Sequence, residues 1–200
     1  MNFNDLTQIE LNNQFIEIHQ YSELDRSGLI QQFNPEIFKH FTRSYNTCDE
    51  FIQDKLEKLS KNEQVPYIVK DIQINQVVGT FSLGNIDLKN KSIEIGSIWF
   101  GIQFIGKFYN AMTNYLILEY LFETLRFNRV QWKTDELNVV SQKAALSIGY
   151  TQEGVLRHHI IKQSGEIRDT VMFSIIIDEW GTVKWQLKNK IAKKLVVNEV

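Results

Sequence analysis

The sequence predicts a mixed α/β (α+β) domain built around one sheet, and three observations carry that expectation. Two hundred residues with 43% hydrophobic and 23% charged composition suit a single domain able to bury a sizeable core. Three segments rich in β-branched and aromatic residues, 65–71, 76–83 and 92–100, are separated by Asn/Asp/Lys-rich turns, the pattern of an antiparallel meander. A unit of strand, loop, helix and strand then ends at Val130–Trp132–Thr134, and the helix between them makes that last strand compatible with parallel pairing to the strand at 92–100.

The elements follow in order. Phe15, Glu17 and His19 alternate with Ile16, Ile18 and Gln20, a period-2 run that predicts a first strand. Asn34-Pro35 reads as an N-cap followed by proline in the first helical position, with Ile37, Phe38 and Phe41 at helical spacing behind it, so a short helix is expected. Thr47-Cys48-Asp49-Glu50 has the form of a capping box, and Phe51, Ile52, Leu56 and Leu59 supply the apolar stripe of a second helix. In the fourth strand, Gly96 lies between Ile95 and Ile98, and an isolated strand glycine marks a bulge or a close backbone approach where a ligand could sit. After a loop at 101–109, Asn110 is placed to cap a long helix whose Met112, Tyr115, Leu118, Leu121, Phe122 and Leu125 form a wide apolar face. Asn138 precedes a short helix at 139–147 stopped by Gly149, and strands at 150–156 and 158–162 lead through a turn at Gly165 into a final apolar strand at 169–177. The tail, 181–200, alternates apolar residues with Lys184, Lys188, Lys190, Lys193 and Lys194 and reads as a terminal amphipathic helix with a solvated lysine face.

Composition also excludes function classes. A net charge of −2 and a pI near 6.1 leave no field that would draw nucleic acid. Cys48, the single cysteine, cannot form an intrachain disulfide, and no Cys/His cluster has metal-ligand spacing, so neither a disulfide frame nor a metal is expected. The start Met1-Asn2-Phe3-Asn4-Asp5 lacks a basic apolar leader, and the greasiest stretch, 115–122, is broken by Glu119, so the expected setting is cytoplasmic with no membrane partner.

The order of motifs is more informative than any one of them. Glu94-Ile95-Gly96-Ser97-Ile98-Trp99-Phe100 is followed by Gly106, Asn110, Asn128-Arg129-Val130, Lys133-Thr134-Asp135, Asn138, Ser141 and Gly149-Tyr150, then Glu153-Gly154-Val155-Leu156-Arg157, Arg168-Asp169-Thr170 and Phe173-Ser174-Ile175. This series, running over about 15–180, resembles the GNAT-fold N-acetyltransferases of the RimJ/RimL type. The resemblance implies a mostly antiparallel mixed sheet with helices on both faces, in which the fourth and fifth strands splay apart to admit the pantetheine arm of acetyl-CoA. It implies a domain at 1–180 with the 181–200 helix packed on it.

The resemblance also assigns roles. The donor would lie against backbone groups of Ile98, Trp99 and Phe100, with its pyrophosphate at the helix-start loop Gly106, Lys107, Phe108, Tyr109 and Asn110. Relatives carry Gly-x-Gly here, whereas this chain has Phe108 at the second glycine position. If that position requires a left-handed backbone, Phe would cost about 1–2 kcal/mol, and Lys107 could compensate by meeting a phosphate. Glu94 matches the base that deprotonates the amine, and Ser141 matches the acid that protonates the departing thiolate; their plain readings are a surface carboxylate and a first-turn helix hydroxyl. Asn138 matches the pantetheine amide contact, and it is also a good helix cap. His159 and Asp169 are the candidate acceptor contacts, His158 stands beside them, and Ile160 occupies a position where relatives hold a glutamate. Asp169 has a structural alternative, an ion pair with Arg157 or Arg168. Of the aromatics Trp99, Phe100, Phe104, Phe108 and Tyr109, core packing explains most, and an exposed subset would line a groove with few charges suited to a small amine or a peptide N-terminus. The expected activity is acetyl transfer from acetyl-CoA to a primary amine by direct attack; the alternative is a noncatalytic acyl-CoA-binding or interaction module. The strand at 171–177 offers an edge for a homodimer seam.

Overall fold

The computed structural model describes residues 2–198. Asn2 caps the short α1 (Phe3–Thr7) by accepting the Asp5 N–H, while the Asp5 carboxylate accepts the Asn2 N–H, so two orphan donors are satisfied reciprocally. A hairpin follows, β1 (Leu11–Asn12) and β2 (Ile16–Gln20), turned by Asn13, whose side-chain oxygen accepts the Phe15 and Ile16 N–H groups. Next comes α2 (Arg26–Gln32), which the periodicity does not predict. Its Gly28 lets the helix close onto the sheet: a Cβ there would lie 2.7 Å from Val77 Cγ2. The expected helix at Pro35 is a 3₁₀ turn, Pro35–His40, with Asn34 accepting the Glu36 N–H at 3.0 Å. Such a tight short turn suffices to drop Phe38 into a cluster with Tyr45, Phe51 and Trp99. Thr47 caps α3 (Cys48–Ser60) as expected, although the Glu50 carboxylate reaches the Asn46 N–H and not that of Thr47.

The meander forms as predicted: β3 (Gln64–Asp71), β4 (Gln76–Asp87) and β5 (Ser92–Phe100) pair antiparallel in sequence. The long apolar helix is α4 (Tyr109–Glu119), closed by a π turn at Tyr120–Thr124. After β6 (Arg129–Asp135), α5 (Val139–Ile148) ends at Gly149 with φ +117°, a left-handed cap that glycine adopts without steric cost. A hairpin of β7 (Thr151–Ile161) and β8 (Ile167–Ile176), turned at Gly165 (φ +87°), leads directly into α6 (Ile177–Asn198). Glu199 and Val200, at the end of the expected tail helix, lie outside the described residues.

Among the described residues, eight strands form one sheet in the order β1-β2-β3-β4-β5-β6-β8-β7, with β5 and β6 its parallel neighbours. Successive residues of a strand face opposite sides, so each face has its own core. Tyr67 and Val69 join the larger one with Met112, Leu118 and Phe122 of the α4 segment and Trp180, Val183, Leu187 and Ile191 of α6. Ile68 and Trp99 join a smaller one under α2 and α3. The expected dimer seam at 171–177 is not an edge: β8 is paired on both sides, by β6 and by β7. Among the described residues, no helix is long and apolar enough to cross a membrane.

Candidate active site

The parallel contact between β5 and β6 is short. Only Ser92, Ile93 and Glu94 pair with Arg129, Val130 and Gln131; beyond Glu94, β6 continues along β8 as far as Asp135 while β5 stays with β4. The backbone edge of β5 from Ile95 onward therefore lacks a strand partner on the β6 side, where its N–H and C=O groups can pair with something else. Here opens a cleft of about 1180 Å³, lined by β5, the C-terminal half of β6, the loop before α4, and α5. Its size suits a ligand larger than an ordinary metabolite.

A bulge shapes the β5 wall. Gly96 pairs with Ser82 and Trp99 with Thr80, so Ser97 and Ile98 together oppose the single residue Phe81. The left-handed residue is Ser97, at φ +50°, and not Gly96. A non-glycine in that region is strained, on the order of 1–3 kcal/mol, and needs support from its surroundings. Lys55, reaching from α3, donates from Nζ to Ser97 Oγ at 2.9 Å. Gly96 serves a different need: a Cβ there would stand 3.1 Å from Glu94 Oε1, so its absence leaves space for that carboxylate. Glu94 Oε2 accepts from Asn85 Nδ2 at 2.6 Å and pairs with Lys133 Nζ at 2.9 Å.

Across the gap, Trp132 of β6 donates from Nε1 to Ser141 Oγ at 3.1 Å, which fixes the hydroxyl and leaves its proton for another acceptor. Asn138 caps α5, its side-chain oxygen accepting the Ser141 N–H at 3.0 Å, and its amide donors remain for a ligand. At the far end, Gly106 adopts φ +82° with nothing within 4 Å of a hypothetical Cβ, so backbone conformation and not crowding demands glycine. Helix α4 then starts without a side-chain cap, its first internal bond running from Met112 N–H to the Phe108 carbonyl. The preceding first-turn N–H groups form an anion-binding end.

Residues 16–151 match the family model described as an acetyltransferase (GNAT) domain. The chain belongs to the GNAT acetyltransferase family. It is 26% identical over 167 residues to an uncharacterized N-acetyltransferase of Bacillus licheniformis, p20, covering 80% of this chain and 92% of that protein. It is 32% identical over 102 residues to a Bacillus subtilis protein provisionally named ribosomal N-acetyltransferase YdaF, 51% of this chain and 55% of that one. That name agrees with the RimJ/RimL-type branch indicated by the motif order. In fold it is similar to a GCN5-related N-acetyltransferase from Brucella melitensis, with TM-score 0.83 at 24% identity over 92% of this chain and 86% of the other. The splay, the bulge and the open helix start all lie within the segment that the family model matches.

Within that GNAT cleft, Glu94, Ile98, Trp99, Phe100, Gly106, Lys107, Asn110, Asn138, Ser141 and His159 all line the cavity. Three expectations need correction. Phe108 has φ −75° and ψ −17°, an ordinary right-handed conformation, so its side chain costs no backbone strain. Its ring packs on Phe15 and Tyr109, and the Tyr109 hydroxyl donates to Asp71 at 2.8 Å, so both side chains belong to the core and only their backbone N–H groups can serve the donor. Asp169 does not line the cavity; its Oδ1 accepts the His158 N–H at 2.6 Å and pins a second bulge, where His158 has φ +51°. The five aromatics named from the sequence are all buried, so none forms an exposed acceptor groove.

The groove is also far from uncharged. Lys107, Lys143, Lys190 and Lys194 line it near the Gly106 loop and α5, and Arg43, Lys55, Lys58, Lys133 and Arg168 line it elsewhere, while Glu94 is the single carboxylate among the described lining residues. A protein of net charge −2 thus concentrates positive charge in its cleft, which draws anionic ligands. Buried Asp54 neutralises part of it through Arg43 at 2.9 Å, Lys58 at 2.9 Å and Lys55 at 3.4 Å. Burial, aided by the Lys58 charge, pushes the Lys55 ammonium down to about 8. Trp99, Arg168 and Thr170 border the same cavity, and their Nε1, Nε and Oγ1 atoms are buried without a protein partner. Such groups are rare unless a ligand or water completes them. None of Lys55, Arg168, Lys190 or Lys194 is singled out by the sequence for the site, since each reads locally as an ordinary helix or strand cation. Cys48 does not line the cleft, and burial holds its thiol up at about 12, which removes it as a nucleophile at neutral pH.

Proposed function

We propose that the protein transfers an acetyl group from acetyl-CoA directly to a primary amine, without a covalent enzyme intermediate. The observation that supports this most is the loss of β5–β6 pairing after Glu94, which exposes a strand edge beside an anion-binding helix start. When bound, acetyl-CoA supplies an activated acetyl thioester. The chain's own groups would divide the remaining work. The unpaired β5 edge at Ile98 to Phe100 offers N–H donors to an acyl oxygen, and Asn138 Nδ2 to an amide carbonyl. One preorganised donor of this kind is worth about 3–4 kcal/mol of barrier.

Glu94, with Asn85 and Lys133 holding one carboxylate oxygen, keeps the other toward Gly96 as the base that takes the amine proton, directly or through one water. Ser141, oriented by Trp132, delivers a proton to the departing thiolate. The provisional YdaF name, ribosomal N-acetyltransferase, supports a ribosomal acceptor over a small metabolite, and the acceptor proposed is a protein N-terminal α-amine. The positive acceptor end of the cleft suits an N-terminus followed by acidic residues, in place of the uncharged groove expected from sequence. Free-thiol detection with acetyl-CoA and N-terminal peptides differing in their second to fourth residues tests this reading. Acidic peptides should be acetylated fastest and α-N-blocked peptides not at all. Thiol release only with small amines would replace the peptide acceptor, and no release with any amine would remove the transfer reaction.

A further inference from the structure

Among the described residues, one buried cation of the cleft lacks a counter-ion. Arg168 of β8 is 7% exposed and Thr170, two residues on, is wholly buried; the two stand on the same side of the strand and both border the cleft. Arg168 Nε and Thr170 Oγ1 have no partner among the described residues. The two carboxylates whose charge Arg168 feels, Asp135 and Glu94, are bound elsewhere: Asp135 Oδ2 pairs with Lys162 at 2.6 Å, and Glu94 Oε2 with Lys133 at 2.9 Å and Asn85 at 2.6 Å. Opposite Arg168 on β7 stands Ile160, which offers no charge across the strand pair. Burial lowers the Arg168 pKa from its ordinary value, and Asp135 and Glu94 offset only part of that effect. A buried guanidinium without an ion pair is costly to fold, whereas it and a neighbouring hydroxyl on a cleft wall suit an anion that arrives with the substrate.

Strand register sets how far that anion would lie from the reacting amine. Glu94 pairs with Gln131 on β6, and Asp135, four residues further along β6, pairs with Thr170. Glu94, Asp135, Thr170 and Arg168 therefore share one face of the sheet, and four strand steps of about 3.3 Å put the level of Thr170 about 13 Å beyond that of Glu94. The Glu94 and Arg168 side chains span part of this distance. The remainder matches the separation between an N-terminal amine and the side chain of the second or third residue of an extended peptide. It exceeds the reach of a free amino acid, whose amine and carboxylate share one carbon. We propose that Arg168 and the Thr170 hydroxyl form a carboxylate subsite for the acceptor, which selects a peptide with Asp or Glu at its second or third position. The inference rests on the acetyl-transfer reading above, with Glu94 as base, and adds to it the residues that read the acidic side chain and the position at which they read it.

The test measures kcat/KM by free-thiol detection at saturating acetyl-CoA, for peptide pairs that carry Asp or Asn at position two, three or six. The proteins compared are the wild type, Arg168→Gln, Thr170→Val and Lys184→Met, the last removing a cation of α6 that pairs with Glu119 and Glu123. The wild type is expected to prefer Asp over Asn by about tenfold or more at position two or three and not at position six, since only the nearer carboxylates reach the charge-assisted contacts. Arg168→Gln should bring that ratio near one, Thr170→Val should lower it severalfold, and Lys184→Met should keep it. A wild type that acetylates Asp and Asn peptides equally, or that prefers Asp equally at position six, overturns the inference while leaving the acetyl transfer intact. So does an undiminished ratio in Arg168→Gln. Should Arg168→Gln fail to fold, Thr170→Val decides, a lowered ratio supporting the subsite and an undiminished one overturning it. Thiol release with no peptide at all overturns the peptide acceptor and this inference with it.

Discussion

Replacing Lys55 with methionine is expected to stabilise the fold at pH 7 and to slow turnover. The folded-state value near 8, against 10.5 for a free lysine, means that burial disfavours the charged form by about 3 kcal/mol. Because the folded value is depressed, the stability tied to the neutral amine is fully present above pH 10.5 and is lost as pH falls through 8. Methionine fills similar volume beside the Phe51 ring, which Lys55 Nζ now overlies at 5.2 Å, and carries no charge. It forfeits the hydrogen bonds to Ser97 at 2.9 Å and Gln64 at 3.3 Å, each worth about 1 kcal/mol. Asp54 keeps Arg43, Lys58 and the Tyr45 hydroxyl. The net expectation is a gain of about 1–2 kcal/mol at pH 7, or roughly 2–8 °C in melting temperature. Denaturant midpoints of both proteins at pH 7 and pH 10.5 supply the assay. The advantage of the variant should shrink toward zero or reverse at the higher pH, because the wild type regains the stability tied to its neutral amine. A variant less stable than the wild type at pH 7, with the same difference at pH 10.5, would refute the reasoning. Activity should fall about tenfold, since Ser97 loses the contact that holds its left-handed conformation.

Three further outcomes are expected. Glu94→Gln and Ser141→Ala should each lower kcat by about 10²–10⁴-fold with acetyl-CoA affinity retained, as steady-state kinetics beside calorimetry will show. Trp180→Ala should cost about 3–5 kcal/mol in denaturant unfolding, because it removes a ring stacked on Phe122 and the 2.8 Å bond to Glu123 that fix the start of α6. His19 donates to Asp25 at 3.0 Å, and that bond raises its pKa, so its contribution is full below pH 6.5 and fades as pH rises through the folded value. Melting curves of His19→Gln should lack that slope, and an unchanged slope would remove the assignment.

Strand and turn patterns were legible locally, whereas helix starts were less so: Asn110, expected to cap α4, stands inside its first turn. The 65–100 meander rests on period-2 patterning, Gly149 and Gly165 on the left-handed turns they make, and the parallel return of β6 on the intervening helix. The glycine interruption in β5 pointed to the right strand but to the wrong residue. Ser97 carries the left-handed conformation, and the lysine that supports it lies 42 positions earlier on another element. Helix α2 escaped notice because Gly28, a breaker by propensity, is required there for contact with Val77. Phe108 looked costly only when a family pattern was imposed on it; it directly precedes α4, where its right-handed φ and ψ suit any side chain. That Lys190 and Lys194 line the cleft depends on which flank of α6 faces Gly106 and Ser147, a tertiary fact that helical periodicity does not encode.

Backbone amide NMR during titration with acetyl-CoA tests the account most directly. Resonances from Ile95 to Phe100, Lys107 to Asn110 and Asn138 should shift together and saturate, with the β5 amides becoming protected from exchange. Saturable binding that moves none of the β5 amides, or no binding at millimolar donor, would contradict the claim that the parted strands receive the acyl carrier.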